Sequence, residues 1–270
     1  MKRMKRKITT AFPFLSIPEA TPKPRTCRWT ILTDRALPLG LQEDVLDMHG
    51  DLIDYVKLTD FTGLLSRFSP TLLKRKLRIY KRKGFRIFPG GIAFEIAYLQ
   101  KKVPQYFETV AKFGFNGIEV SDDSMPELEL SERAKLIKAG RKLGLDVFTE
   151  VGKKTVHSPY PARQAIDSIR SDLDAGAVKV TLENGELYYY CKKNNPRPIA
   201  EIVNAIGLEH LIFEVGAPGW PELSVWLLKE FGPDINIENI EWDRIVIFEG
   251  LRRGLQRIVG YHYVRSLQQA

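Results

Sequence analysis

Short apolar runs recur eight times along this chain, and each run leads into a charged or hydrogen-bonding residue. A stretch of roughly ten to fifteen residues with helical spacing follows each run. The alternation predicts an α/β protein, a single-domain (β/α)8 TIM barrel. The predicted strands, each with its polar residues, are 31–33 (Asp34, Arg35), 55–56 (Lys57), 86–88 (Gly90, Gly91), 118–120 (Glu119, Ser121, Asp122), 147–151 (Glu150, Lys153, Lys154), 178–182 (Glu183), 211–213 (Glu214) and 235–237 (Asn239).

The helices predicted between these strands have ordinary start and stop residues. Prolines stand where a first helical turn tolerates them, and Gly84, Gly144 and Gly207 stand where a left-handed end is needed. The predicted helices are 41–48, 70–83, 105–113, 131–143, 161–175, 198–207, 221–231 and 243–255.

The polar residues at the strand ends matter because all eight ends of a parallel barrel open onto one face. Barrel enzymes keep their chemistry on that face. The sequence therefore predicts one pocket crowded with carboxylates and cations.

Composition fits a single large domain of 270 residues, with 44% hydrophobic and 27% charged residues. Residues 1–25 contain four prolines and are predicted to be a partly disordered extension. The barrel is predicted over 26–258, and 259–270 form a C-terminal tail. Two distant cysteines, Cys27 and Cys191, are expected to be free thiols of a reducing compartment.

The net charge of +8 is concentrated in residues 1–7 and 74–83. No nucleic-acid-binding motif accompanies these runs, so we interpret them as a basic tail and a solvated helix face. Neither an export signal nor a membrane-spanning run is found in the sequence. We expect a cytoplasmic protein that binds small molecules, with no nucleic-acid or membrane partner.

The order and spacing of the strand-end motifs resemble the phosphosulfolactate synthase (ComA) family over roughly residues 29–255. No single motif is decisive; together they are. The residues that carry the resemblance are Asp34, Gly50-Asp51, Ile53-Asp54, Val56-Lys57, Pro89-Gly90-Gly91, Phe94-Glu95, Gly114-Phe115, Glu119, Ser121-Asp122, 150–154, Asp172-Leu173, 175–177 and 251–255.

The resemblance implies a Mg²⁺-dependent lyase or synthase that adds sulfite to phosphoenolpyruvate, and it implies a homo-oligomer. Addition to an enol carboxylate sends negative charge into the carboxylate, where a divalent cation stabilises it. Carboxylates are the ligands that Mg²⁺ prefers. The metal candidates are Glu119, Asp122 and Glu183, with Glu150 also considered.

The other site residues take roles in proton transfer and anion binding. The resemblance implies Lys154 as the acid and base, because a lysine in a crowded cationic site has a lowered pKa. Glu150 and Lys57 complete the catalytic group, and Lys57 with Lys153 would also bind anions. The remaining substrate-binding candidates are Asp34, Arg35, Gly90, Gly91, Ser121 and Glu214.

Several of these residues have a purely structural alternative. Glu119 or Glu214 would then pair with a neighbouring lysine, and Gly90-Gly91 would form only a tight turn. The four histidines show no metal-binding spacing. A non-catalytic barrel with a binding role is therefore a second hypothesis.

Departures from the family pattern fall on the same face as the matches. Asp60 and Asp123 are additional carboxylates, Arg35 replaces a lysine, and the arginine and serine of a family motif are missing from 183–187. The pocket would become about three charges more negative. A paralogue with a different, less anionic substrate is therefore a further alternative, in which Tyr188-Tyr189-Tyr190 would form an aromatic wall or an oligomer contact.

Overall fold

The computed structural model describes residues 11–153 and 159–268. Its eight strands are parallel, in the order β3-β2-β1-β8-β7-β6-β5-β4, and alternate with helices, so the predicted (β/α)8 barrel is confirmed. The strands are β1 Thr30–Asp34, β2 Tyr55–Leu58, β3 Arg86–Pro89, β4 Gly117–Val120, β5 Asp146–Val151, β6 Lys179–Leu182, β7 Leu211–Glu214 and β8 Ile237–Ile240.

The helices of the described residues surround this barrel. They are α1 Leu39–His49, α2 Pro70–Arg82, α3 Gly91–Leu99, α4 Val103–Phe113, α5 Leu130–Lys142, α6 Ala162–Ala175, α7 Asn184–Lys192, α8 Arg197–Ile206, α9 Glu222–Phe231, α10 Ile245–Arg252 and α11 His262–Ser266. A single π-helical turn, Asp60–Leu64, follows β2.

The barrel closes between β3 and β4 through one asparagine. The backbone N–H of Asn116 donates to the carbonyl of Ile87 at 2.8 Å, and its side-chain oxygen accepts from the Ile87 N–H at 3.1 Å. These bonds replace a regular ladder, so the sheet is nearly closed.

Two helices were not predicted. Residues 91–99 and 184–192 form α3 and α7. Both helices begin directly after a strand end, and α3 is so apolar throughout that its pattern lacks the polar stripe typical of a surface helix. The last strand was predicted two residues too early, since β8 starts at Ile237.

The N-terminal segment is attached to the barrel by Arg25. Its guanidinium is buried and donates to both carboxylate oxygens of Asp54, at 3.0 and 2.9 Å. Residues 11–29 contain neither helix nor strand. The Tyr263 hydroxyl near the C-terminus donates to the Ser16 carbonyl, so both ends of the described chain meet. Residues 1–10, part of the predicted disordered extension, lie outside the described residues.

The described helices include none that is long and apolar enough to cross a bilayer. Cys27 and Cys191 are both free thiols, as expected.

Candidate active site

An apolar layer forms the floor of the site inside the barrel. Ile31, Phe88, Phe148 and Ile212 come from β1, β3, β5 and β7, and the two phenylalanine rings stack at 4.5 Å. Side chains on a strand alternate between its two faces, so the next inward residues lie one level higher. In most barrels this level is also filled by branched apolar residues. Here the even-numbered strands β2, β4 and β8 place Lys57, Glu119 and Glu238 there.

Lys57 lies between three glutamates. Its Nζ is 2.8 Å from Glu119 Oε1, 3.4 Å from Glu150 Oε1 and 3.5 Å from Glu238 Oε1. All four residues are buried. The ammonium of Lys57 therefore holds three carboxylates together at the centre of the barrel.

A second group of glutamates adjoins the first. Ligand oxygens of Glu150, Glu183 and Glu214 all lie within 4.8 Å of one another, as do those of Glu119, Glu150 and Glu238. The backbone N–H of Asn184, at the start of α7, donates to Glu183 at 2.7 Å and to Glu214 at 3.4 Å. Because Glu150 belongs to both groups, five glutamates form one continuous cluster, which we call the glutamate cluster.

The cluster perturbs the proton affinity of its members. Burial alone would lower the pKa of the Lys57 ammonium, but Glu119, Glu238, Glu150 and Glu214 raise it well above its ordinary value. Burial, followed by repulsion from Glu150, raises the pKa of Glu119 well above its ordinary value despite the attraction of Lys57. Burial also raises the pKa of Glu214 and of Glu238. The cluster thus holds more carboxylates than its one lysine balances.

We predict that Glu238→Gln stabilises the metal-free protein at alkaline pH. A carboxyl whose pKa is raised above 4.5 in the folded state binds its proton more tightly there than in the unfolded chain. The contribution of Glu238 to the stability of the folded protein is therefore greatest at low pH. It is lost as the pH rises through the folded-state pKa of Glu238. Glutamine mimics the protonated form, so urea unfolding in EDTA should show a gain of at least about 1 kcal/mol at pH 8 and little change at pH 5. A variant less stable than the wild type at both pH values would contradict this account.

Above the cluster lies an open pocket with a cavity volume of about 70 Å³. Its wall on one side is the start of α3, where a side chain on Gly91 would collide with Ser121. The pocket is lined by Thr33, Arg35, Lys57, Thr59, Asp60, Phe61, Gly90, Gly91, Ile92, Glu119, Ser121, Glu150, Glu214 and Asn239.

Most of the predicted site residues that the structure describes lie together here. Lys57, Glu150, Arg35, Gly90, Gly91, Ser121, Glu214 and Glu119 line the pocket, and Glu183 belongs to the glutamate cluster below it. Arg35 lies at the rim and pairs with Glu241 at 3.3 Å. Ser121 donates its hydroxyl proton to Glu95 of α3 at 2.7 Å. Lys154 lies outside the described residues.

Asp34 does not lie in the pocket. Its carboxylate is fully buried on the outer side of β1, where it pairs with Lys76 of α2 at 2.8 Å and accepts from the Tyr80 hydroxyl at 2.7 Å. The basic run 74–83 thus contributes a partner to a strand-end aspartate as well as a solvated face. Asp34 therefore links β1 to α2. This role does not place it near a substrate.

Asp122 and Lys153 lie apart from the glutamate cluster, in a smaller neighbouring pocket. Asp122 pairs with Arg133 of α5 at 3.1 Å and accepts from the Leu128 N–H at 2.9 Å. Lys153 donates to the Asp122 carbonyl at 2.7 Å. Glu150 lines both pockets. The predicted metal ligand Asp122 is therefore committed to a cation of the protein itself.

Sequence reasoning missed Glu238, which lies in the cluster beside Lys57. The missed signal is the alternation in 235–238, where Ile235 and Ile237 are buried against the helices and Asn236 and Glu238 face inward. The suggested aromatic wall is also absent from the pocket lining, because Tyr188, Tyr189 and Tyr190 belong to α7 and pack on the outer core.

The family model described as (2R)-phospho-3-sulfolactate synthase (ComA) matches residues 18–257. The chain belongs to the phosphosulfolactate synthase (ComA) family. The family is one of carbon–sulfur lyases, and the expectation that this chain is an enzyme of that type is confirmed.

Three curated relatives, each named phosphosulfolactate synthase, match over most of their length. That of Methanocaldococcus jannaschii is 34% identical over 238 residues, which is 84% of this chain and 91% of the relative. That of Methanothermobacter thermautotrophicus is 30% identical over 254 residues, or 91% and 96%. The Bacillus subtilis protein is 31% identical over 250 residues, or 90% and 96%. At this identity the ComA-family chain is a divergent member.

A solved structure supports the architecture. A deoxyribose phosphate aldolase from Aeropyrum pernix, described as tetrameric, aligns with a TM-score of 0.53 and 13% identity, covering 84% of this chain and 91% of the aldolase. At that identity the likeness shows the fold alone. The predicted homo-oligomer and the cytoplasmic location stay predictions.

Proposed function

We propose that this ComA-family enzyme catalyses a Mg²⁺-assisted conjugate addition of a sulfur nucleophile, sulfite or a variant of it, to phosphoenolpyruvate or a related enol-type carboxylate. The observation that supports this proposal best is the glutamate cluster beneath an open pocket at the carboxyl ends of the strands. Such a reaction needs a cation beside an acid substrate, and the cluster provides ligands for it.

The residues present fit a divalent cation. Three buried glutamates, Glu119, Glu150 and Glu238, share the single ammonium of Lys57. Buried charges of this kind are costly unless they are paired or coordinate a metal. Glu119, Glu150 and Glu238 would hold the ion, with Glu183 and Glu214 alongside. Mg²⁺ bound there would act as a Lewis acid that stabilises negative charge developing on the acceptor carboxylate.

The chain's own residues would position the reactants. Lys57, kept protonated by its glutamate neighbours, fixes the orientation of Glu119, Glu150 and Glu238. Arg35 at the rim presents a partly exposed guanidinium to an incoming anion. The apolar layer below excludes water from the underside of the site. These groups bind and orient, and none of them needs to change its charge.

We assign to Lys154 the proton transfer that this reaction requires. We predict that Lys154→Ala lowers turnover by about 10²- to 10⁴-fold, the usual contribution of a general acid or base. Its melting temperature should stay within a few degrees of the wild type, because residues that follow a strand at the mouth of a barrel contribute little to core packing.

The neighbouring residue supplies the control for Lys154. Lys153→Ala should lower kcat much less than Lys154→Ala does, since Lys153 lies in the smaller neighbouring pocket and donates to the Asp122 carbonyl. Unfolding of the Lys154→Ala variant, or full turnover by it, would remove Lys154 from the proposed mechanism.

Calorimetric titration with phosphoenolpyruvate in Mg²⁺, with and without sulfite, tests the proposed function. Binding with consumption of the vinyl protons in ¹H NMR supports the family reaction. Weak binding without turnover supports a related acceptor. Binding of neither compound, under conditions where the protein is folded and Mg²⁺ is bound, would contradict the proposal.

A further inference from the structure

Asp60 occupies an unusual position for a carboxylate in this pocket. It begins the π-helical turn after β2, is buried, and lines the pocket. One oxygen, Oδ2, accepts from the backbone N–H of Ala93 in the first turn of α3 at 2.6 Å. The other, Oδ1, accepts from the N–H of Phe61 at 2.9 Å. Asp60 thus caps a helix to which it does not belong.

The start of α3 has no cap from its own residues. Gly90 at the N-cap has no side chain that accepts from the helix, so Asp60 takes that role. A Cβ placed on Gly90 would lie 3.2 Å from Asp60 Oδ1. The aspartate carboxylate therefore lies directly against the Gly90-Gly91 backbone, where the sequence predicted contact with the substrate.

Helix N-termini favour anions because their free N–H groups point outward and the helix dipole is positive there. In this chain the protein's own anion already holds that position. Among residues 11–153 and 159–268, no cationic side chain forms an ion pair with Asp60 that would offset its charge. A Cβ on the next residue, Gly91, would lie 3.3 Å from Glu119 Oε2, an oxygen without a hydrogen-bond partner among the described residues. A second anion brought here would meet carboxylates on two sides.

We propose that Asp60 is a specificity-determining residue that keeps a phosphate, or a similar dianionic group, of the acceptor out of the α3 side of the pocket. The acceptor class that fits is an enol-type carboxylate without a phosphate ester at this position. The acceptor class named here rests on the proposed function. The test does not, because phosphate binding is measured without turnover.

The test is calorimetric titration of inorganic phosphate into the folded protein at saturating Mg²⁺. The wild type should bind phosphate only weakly. Asp60→Ala removes the resident carboxylate and should bind phosphate at least about tenfold more tightly, because like charges a few ångströms apart in a partly buried site repel strongly. Asp60→Asn keeps the shape and removes the charge, so it should shift affinity in the same direction even if the alanine variant is unstable.

Asp123→Ala is the matched control. Asp123 is the other additional carboxylate on this face, yet it is outside the lining of both pockets. Its loss should change phosphate affinity by less than about twofold, since partly exposed charges are well screened. Equal gains for the Asp60 and Asp123 variants would indicate a general charge effect and overturn the proposal.

Two further results would also overturn it: no gain in a folded Asp60→Asn variant, or tight phosphate binding by the wild type. Micromolar KM for phosphoenolpyruvate in the wild type would do the same. Absence of turnover with every acceptor would count against the proposed function instead, and it would leave the phosphate titration unchanged.

Discussion

Replacing Glu150 by glutamine is expected to abolish Mg²⁺ binding in the pocket and, with it, turnover. Glu150 belongs to both groups of closely spaced glutamates and lines both pockets. Loss of its charge leaves each group with two carboxylates. Because hard cations depend on anionic oxygen ligands, Mg²⁺ affinity should fall by at least about 100-fold, as measured by calorimetry.

The control for this variant is Glu222→Gln on the protein surface. Glu222 forms an exposed ion pair with Lys192 at 3.1 Å, so its loss removes the same charge outside the lining of either pocket. Mg²⁺ affinity and turnover should be unchanged in it. A Glu150→Gln enzyme that retains wild-type Mg²⁺ affinity would show that the glutamate cluster is not the metal site.

Lys57→Met is expected to destabilise the metal-free protein by about 3–5 kcal/mol at pH 8, the usual cost of leaving buried charges without their partner. The lysine contacts Glu119, Glu150 and Glu238, and methionine fills the space without balancing them. The loss should shrink toward pH 5, where protonation removes the repulsion among carboxyls whose pKa is raised. Urea unfolding in EDTA across this range measures both effects.

Lys135→Met supplies the comparison for Lys57. Lys135 pairs with Glu132 at 3.4 Å on the exposed face of α5, so its replacement should cost less than about 1 kcal/mol at either pH. Saturating Mg²⁺ should restore part of the stability lost in Lys57→Met, since a cation then balances the same carboxylates. Equal stability of Lys57→Met and wild type at pH 8 without metal would mean that the cluster is neutral in the folded protein.

The barrel was predictable from sequence because its strands end in polar residues at regular intervals. The strand alternation placed Lys57, Glu119 and Glu150 on one face correctly. Helix α3 was missed because it is apolar throughout and lacks a polar stripe, and α7 was missed because only Glu183 separates it from β6. Strand β8 was placed early because Asn239, with φ of 61°, interrupts its regular alternation.

The site was predicted less completely. The sequence shows where a residue lies along its strand, but it does not show which side chain that residue will pair with. Asp34 and Asp122 stand at strand ends like the clustered glutamates, yet Lys76 and Arg133 from helices draw them away from the cluster. A residue in a family motif also need not take part in the reaction. Arg252 belongs to the run 251–255 that carries the family resemblance. It donates to the carbonyls of Trp29 and Ile235 at the amino-terminal ends of the strands, where barrels keep residues for stability.

The most direct test of the account is anomalous diffraction from crystals soaked with Mn²⁺, which prefers the same oxygen ligands as Mg²⁺. We predict a single strong peak among the carboxylates of Glu119, Glu150, Glu183, Glu214 and Glu238, lost in Glu150→Gln crystals. Saturated crystals whose Mn²⁺ peaks all lie elsewhere would contradict the proposed site.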